Sequence, residues 1–120
     1  MKRKKECDVL KLYKLLGKKW TIELFFNIDD DPASYNQLFS LFGHTISPTL
    51  LSKRLKELSD FNLINKKNVS WKNLYIITTK GEELKNIILK SKIWLYSYEN
   101  NIPKECIKDD KFNCCYKKSG

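Results

Sequence analysis

The stretch Thr45–Leu58, reading Thr-Ile-Ser-Pro-Thr-Leu-Leu-Ser-Lys-Arg-Leu-Lys-Glu-Leu, constrains this chain more than any other. Ser47 suits a helix N-cap, and Pro48 suits the first helical position, where its missing N–H removes no bond. Leu51, Leu55 and Leu58 then recur at helical spacing. With those leucines turned inward, Thr49, Ser52, Lys53 and Lys56 form an outward stripe, and Arg54 and Glu57 lie at its edges. One face demands burial and the opposite face is cationic.

The preceding residues read as a partner helix. Ser34 followed by Gln37 fits a capping box, Leu38, Leu41 and Phe42 give an inner side, and Gly43 ends the run. His44-Thr45-Ile46 is then a short connector. Helix, connector and basic second helix make a helix-turn-helix arrangement. Upstream, Val9, Leu12, Tyr13, Leu15 and Leu16 predict a first helix stopping near Gly17. Trp20–Ile28 is apolar on too many sides for an exposed helix and reads as the central buried one. Asp29-Asp30-Asp31-Pro32 breaks the chain into a turn.

After Asp60 the period changes. Leu63–Lys67 and Leu74–Thr78 predict two strands, and the polar segment Asn68–Asn73 predicts the tip of a hairpin. Thr79 with Glu82 offers a second capping box, opening a long helix to about Asn100. Leu84, Ile87, Ile88, Trp94, Leu95 and Tyr98 give that helix a broad apolar surface, with the small Ser91 in its middle. The first 80 residues leave nothing to cover all of it. The expected fold class is mainly α with a small β-hairpin wing, a winged helix-turn-helix. Its organisation is a basic arm over 1–6, the domain over 7–100, and a polar cysteine-bearing tail over 101–120.

Charge narrows the partner. Lys and Arg number 23 against 14 acidic residues, a net +9 over 120 residues. The expected partner is therefore anionic: nucleic acid first, a membrane surface second, an acidic protein third. Ser47, Thr49, Ser52, Lys53, Arg54 and Lys56 are the candidate DNA-recognition residues, because Ser and Thr hydrogen-bond to several base edges and Lys reaches guanine acceptors or phosphate. Lys18, Lys19, Lys66, Lys67 and Lys72 are candidates for phosphate contact, which positions a protein on DNA without specifying sequence. No apolar run approaches 18 residues, so no spanning helix is expected. The basic start is followed by Glu6 and Asp8 without an apolar run, so no secretory leader is expected and a reducing cytoplasm is the default.

Nothing in the chain predicts an enzyme. His44, the one histidine, has no nucleophile or orienting carboxylate at recognisable spacing. Cys106, Cys114 and Cys115 form no Cys-x-x-Cys pair, so neither a metal nor another cofactor is expected. Cys7 stands apart at a helix start, with Lys4 and Lys5 on one side and Glu6 and Asp8 opposing their field, and is the candidate redox sensor.

Several of these segments together resemble the HxlR-type winged helix-turn-helix regulators of transcription, also called the DUF24 group. The likeness is carried by Cys7, Leu16–Thr21, Tyr35–Leu38, Ile46–Leu58, Leu63-Ile64, Tyr75–Gly81 and Trp94, in order from about residue 7 to 95. It implies a homodimer built from the first and last helices, burying Leu12, Leu84, Ile87, Ile88, Ser91, Trp94, Leu95 and Tyr98. It also implies two recognition helices set about 34 Å apart on a palindromic double-stranded DNA site, and a sensing role for the cysteine at position 7 in some members. The chain departs from the pattern where Ser34-Tyr35 replaces Arg-Phe, and where Ser70–Asn73 replaces a proline-bearing wing. A weakly selective nucleoid-type DNA-binding protein and a winged-helix protein-interaction module are the alternative readings.

Overall fold

The computed structural model describes residues 7–43 and 45–99. The basic arm over 1–6, His44, Asn100 and the tail over 101–120 lie outside them. Five helices and three strands follow in order: α1 (Asp8–Leu16), α2 (Thr21–Phe26), β1 (Ala33–Ser34), α3 (Tyr35–Phe42), α4 (Pro48–Asp60), β2 (Ile64–Val69), β3 (Lys72–Ile77) and α5 (Thr79–Tyr96). The strands form one antiparallel sheet in the order β1-β3-β2. This is a mainly helical fold with a small β-hairpin wing, as its sequence predicts.

The starts of α3 and α4 are set by local side chains. Ser34 Oγ accepts from Gln37 N at 3.1 Å while Gln37 Oε1 accepts from Ser34 N at 2.8 Å, a complete capping box. Ser47 Oγ accepts from Leu50 N at 3.1 Å, with Pro48 in the first turn. At the far end of α4, Leu63 N reaches Leu58 O at 3.1 Å and Asn62 N reaches Ser59 O at 2.9 Å. With Asn62 at φ 61° this is a Schellman stop, and asparagine is the side chain that tolerates it best after glycine.

Three boundaries differ from expectation. Helix α5 is capped by Thr78 rather than Thr79: the Thr78 hydroxyl accepts from Gly81 N at 2.9 Å and faces Asn62 O at 2.7 Å. That tertiary bond to the α4–β2 corner selects the earlier residue. The same helix ends at Tyr96, where Ser97 Oγ donates to Trp94 O at 2.6 Å. The hairpin is also tighter than predicted. Pairing continues from Ile64↔Ile77 out to Val69↔Lys72, leaving only Ser70 and Trp71 in the turn, at φ 50° and 67°. Both residues at positive φ make a type I′ turn, the form that matches strand twist but favours Asn-Gly. β1, a two-residue strand that periodicity did not reveal, pairs Ala33 with Tyr75 and Ser34 with Leu74.

The core lies between α2, α3, α4 and the sheet. Leu24, Phe25, Ile28, Leu38, Phe42, Leu51, Leu55, Leu58, Leu63 and Ile64 are its buried centre, which includes three of the four leucines of α4. Lys85 of α5 is 1% exposed. Its ammonium donates to Ile28 O and to Asp29 Oδ1 (3.0 Å), and stands 5.4 Å from the Phe25 ring centre. A buried ammonium supplied with a carbonyl, a carboxylate and an aromatic face is a satisfied strut. It pins α5 across the end of α2, and Leu89 of the same helix is buried beyond it.

Candidate nucleic-acid interface

Helix α4 presents the expected outward stripe. Ser47, Thr49, Ser52, Lys53 and Lys56 are all exposed, and no described segment covers them. Tyr35 of α3 braces the start of this stripe: its hydroxyl donates to Pro48 O at 3.2 Å and lies 3.5 Å from Ser52 Oγ. The tyrosine thus ties the two helices of the motif together beside the presented face.

Arg54 is placed differently from the sequence reading, which set it among the DNA-facing residues. It is 9% exposed and turned inward. Its Nε donates to Lys19 O at 2.9 Å and its Nη1 to Glu57 Oε1 at 2.8 Å. The spacing carries the reason: position 54 follows Leu51 by three and precedes Leu58 by four, which sets it on the leucine side of the helix. Lys18 also donates to the Glu57 carboxylate. Burial pushes the Glu57 carboxyl up, but hydrogen bonds from Lys18 and Arg54, joined by their charges, outweigh it and hold the group below its ordinary value. The Lys18 and Arg54 cations are engaged in fastening the α1–α2 corner to α4. Lys19 stays exposed, 5.4 Å from the Trp20 ring centre.

The wing stands beside the stripe. Ser52, Lys56 and Ser59 of α4 form one wall of an open groove of about 570 Å³, and Lys66, Asn73 and Tyr75 of the hairpin form the other, with Tyr35 at one end. Tyr75 is buried at its base, and that burial, with Tyr35 close by, raises its phenol above the ordinary value. Lys66, Lys67 and Lys72 are exposed. From Phe61 to Gly81 the chain carries four lysines and no carboxylate, a charge pattern readable from sequence. Such a surface attracts a polyanion along its whole length.

The other expected sites lie on α1 and α5, outside the groove between α4 and the wing. Cys7 is exposed and caps α1, its Sγ accepting from Leu10 N at 3.4 Å. On α5, Ile87, Trp94, Leu95 and Tyr98 are exposed, as is Ser91, whereas Leu84 and Ile88 pack partly against the core, as does Leu12 of α1. Val9, Leu10 and Tyr13 of α1 add to the exposed apolar set. No described helix is long and apolar enough to cross a membrane.

Comparison with known proteins agrees with this geometry. An uncharacterised HTH-type transcriptional regulator of Methanocaldococcus jannaschii is 33% identical over 99 residues, covering 79% of this chain and 90% of that protein. Among solved structures, a putative transcriptional regulator of the MarR family from Porphyromonas gingivalis W83 is 29% identical, covering 83% of this chain and 98% of its own, with a TM-score of 0.63. The quinone-bound form of the B. subtilis transcriptional regulator YodB is 25% identical, covering 77% and 99%, with a TM-score of 0.64. The profile of the HxlR-like helix-turn-helix proteins matches residues 15–103, which takes in the capped helix α4, the lysine-bearing wing and all of α5, and the chain belongs to that family.

Proposed function

We propose that the chain is a homodimeric regulator of transcription that binds double-stranded DNA sequence-specifically and catalyses no reaction. The observation that carries this is the pairing of two surfaces: the uncovered Ser47–Lys56 stripe of α4, and the carboxylate-free wing across the groove from it. A helix of this width enters the major groove, where Thr49, Ser52, Lys53 and Lys56 meet base edges and phosphates. The wing lysines and Lys19 meet the flanking backbone. The exposed apolar residues of α1 and α5 give a second copy an apolar surface to cover, and two copies present two α4 helices to one palindromic site. A regulator of this kind acts at the nucleoid, in the cytoplasm.

Cys7 supports a reading of the inducing signal. It is exposed and sits on α1, beside the apolar set assigned to the dimer. One relative is known in a quinone-bound form and a less similar regulator, HypR, in an oxidised form. An electrophile or oxidant acting on Cys7 would shift the angle between the two protomers and so the spacing of the two α4 helices.

The test is a titration of operator-like and random duplexes at near-physiological salt. Preferential binding of the operator-like duplex supports a specific regulator. Equal binding of both supports a nucleoid-type protein, and no duplex binding at low salt supports a protein-interaction module.

A further inference from the structure

The most exposed large hydrophobic side chain among the described residues is Trp71, at 99%. It occupies the second position of the two-residue wing turn at φ 67°, where Asn-Gly is the favoured pair and a bulky L-residue is strained. Neither local conformation nor packing in the domain accounts for an indole there. Its surroundings indicate what it meets. Lys72 follows it, Lys66 and Lys67 lie on the paired strand, and no carboxylate occurs from Phe61 to Gly81.

The register also gives the reach of the turn that carries it. Lys66 pairs with Tyr75 and Asn68 with Asn73, the latter joined side chain to side chain at 3.1 Å. Lys66, Asn73 and Tyr75 line the groove shared with α4. Side chains two apart in a strand share a face, so Asn73 and Tyr75 stand on that wall, and the turn bearing Trp71 ends the hairpin about 13 Å beyond Tyr75 at strand rise. With α4 in a major groove roughly 12 Å wide, that reach carries the wing tip past the bordering phosphates to the next minor groove.

We propose that Trp71 is an apolar wedge that enters the minor groove of duplex DNA beside the groove occupied by α4, where its indole packs against deoxyribose and base edges while Lys66, Lys67 and Lys72 hold the flanking phosphates. This rests on the DNA-binding reading and adds a specificity rule to it. An inserted apolar side chain unstacks a base step, so the preferred duplex carries a flexible pyrimidine–purine step, TA or CA, where the wing tip lands.

The experiment uses the full chain, a bound operator-like duplex and three readouts. Trp71 emission is isolated as the difference between wild type and Trp71→Phe, and its acrylamide quenching constant is expected to fall about threefold or more on saturation with duplex, as for a base-stacked ring. Trp71→Ala is expected to weaken duplex affinity roughly tenfold with unchanged circular dichroism, Trp71→Phe to retain most of it, and a rigid A-tract in place of the flanking TA step to remove the difference between wild type and Trp71→Ala. Wild-type affinity in Trp71→Ala, or an indole equally quenchable on and off DNA, overturns the wedge while leaving α4 docking intact. Failure of the wild-type chain to bind any duplex overturns both.

Discussion

Arg54 Nη1 donates to Glu57 Oε1 at 2.8 Å across one turn of α4, while the same guanidinium donates through Nε to Lys19 O. The basic helix therefore has two kinds of cation. Lys53 and Lys56 face outward, and Arg54 fastens the helix to the corner between α1 and α2.

Arg54→Ala should accordingly cost stability more than affinity. Removing one member of a buried pair costs about 3–5 kcal/mol, and the partial exposure of Glu57 reduces this to roughly 2–3 kcal/mol. The melting temperature of a domain this size should fall by roughly 10 °C or more. DNA affinity, titrated at a temperature where the variant stays folded, should change less than it does on loss of Lys53 and Lys56. The same pair sets a pH dependence. The Glu57 carboxyl is held below its ordinary value, so its contribution is present above that value, near 4.5, and is lost as pH falls through the lower folded value. Acid melts should show Glu57→Gln losing this acid-side dependence.

Lys53→Ala with Lys56→Ala should weaken duplex binding roughly tenfold or more, and flatten the salt dependence by about 0.9 in log–log slope for each phosphate contact removed. Lys56 is paired with Asp60 at 3.1 Å, but both side chains are mostly exposed. Such a pair holds its lysine weakly and leaves it available to phosphate. Sedimentation of the double variant should match wild type, and an unchanged binding isotherm would remove α4 from the interface.

Trp94 tests the pairing of chains. It is 63% exposed and its ring centre lies 5.6 Å from that of Tyr98, an aromatic pair with no cover in a single copy. Trp94→Ala should move the sedimentation profile toward monomer at micromolar concentration and weaken DNA binding through the loss of the second α4. A profile that does not move would displace the interface from α5.

What could be read from the sequence was what local chemistry decides. Ser34 and Ser47 cap their helices with bonds three residues away, so the motif itself was legible. The inward turn of Arg54 depends on a carbonyl 35 residues distant, although its place three after Leu51 was a usable signal. The Thr78 cap and the strand β1 were not legible, because each exists through a partner far along the chain: Asn62 for the one, Tyr75 and Leu74 for the other. The charge of the wing was legible. Its tight turn was not, since neither Ser70 nor Trp71 is a residue that announces positive φ.

Gly81 offers a prediction about packing. A Cβ there would lie 2.2 Å from Leu63 O and 2.8 Å from Ile77 Cγ1, so Gly81→Ala forces the start of α5 off the sheet. Overpacking of this kind costs about 1–3 kcal/mol, and backbone as the obstacle points to the upper end. At Gly17 an added Cβ meets nothing closer than 3.4 Å, and its φ of −80° suits any residue. Gly17→Ala should therefore be neutral or slightly stabilising in the same thermal melt, and equal losses at both positions would contradict the close approach of α5 to Leu63.

The wing turn sets stability against function. Replacing Ser70-Trp71 by Asn-Gly relieves two residues held at positive φ, each strained by roughly 1 kcal/mol or more. Ser70→Asn with Trp71→Gly should thus raise the melting temperature by several degrees, since about 1 kcal/mol moves a domain of this size by roughly 4–8 °C. The strands paired from Ile64 to Val69 should keep their register, because a type I′ loop of the same length joins them. Duplex affinity should fall in this more stable protein, as is expected of Trp71→Ala. A variant that gains stability and keeps full affinity would mean that the strain at Trp71 serves nothing the DNA measures.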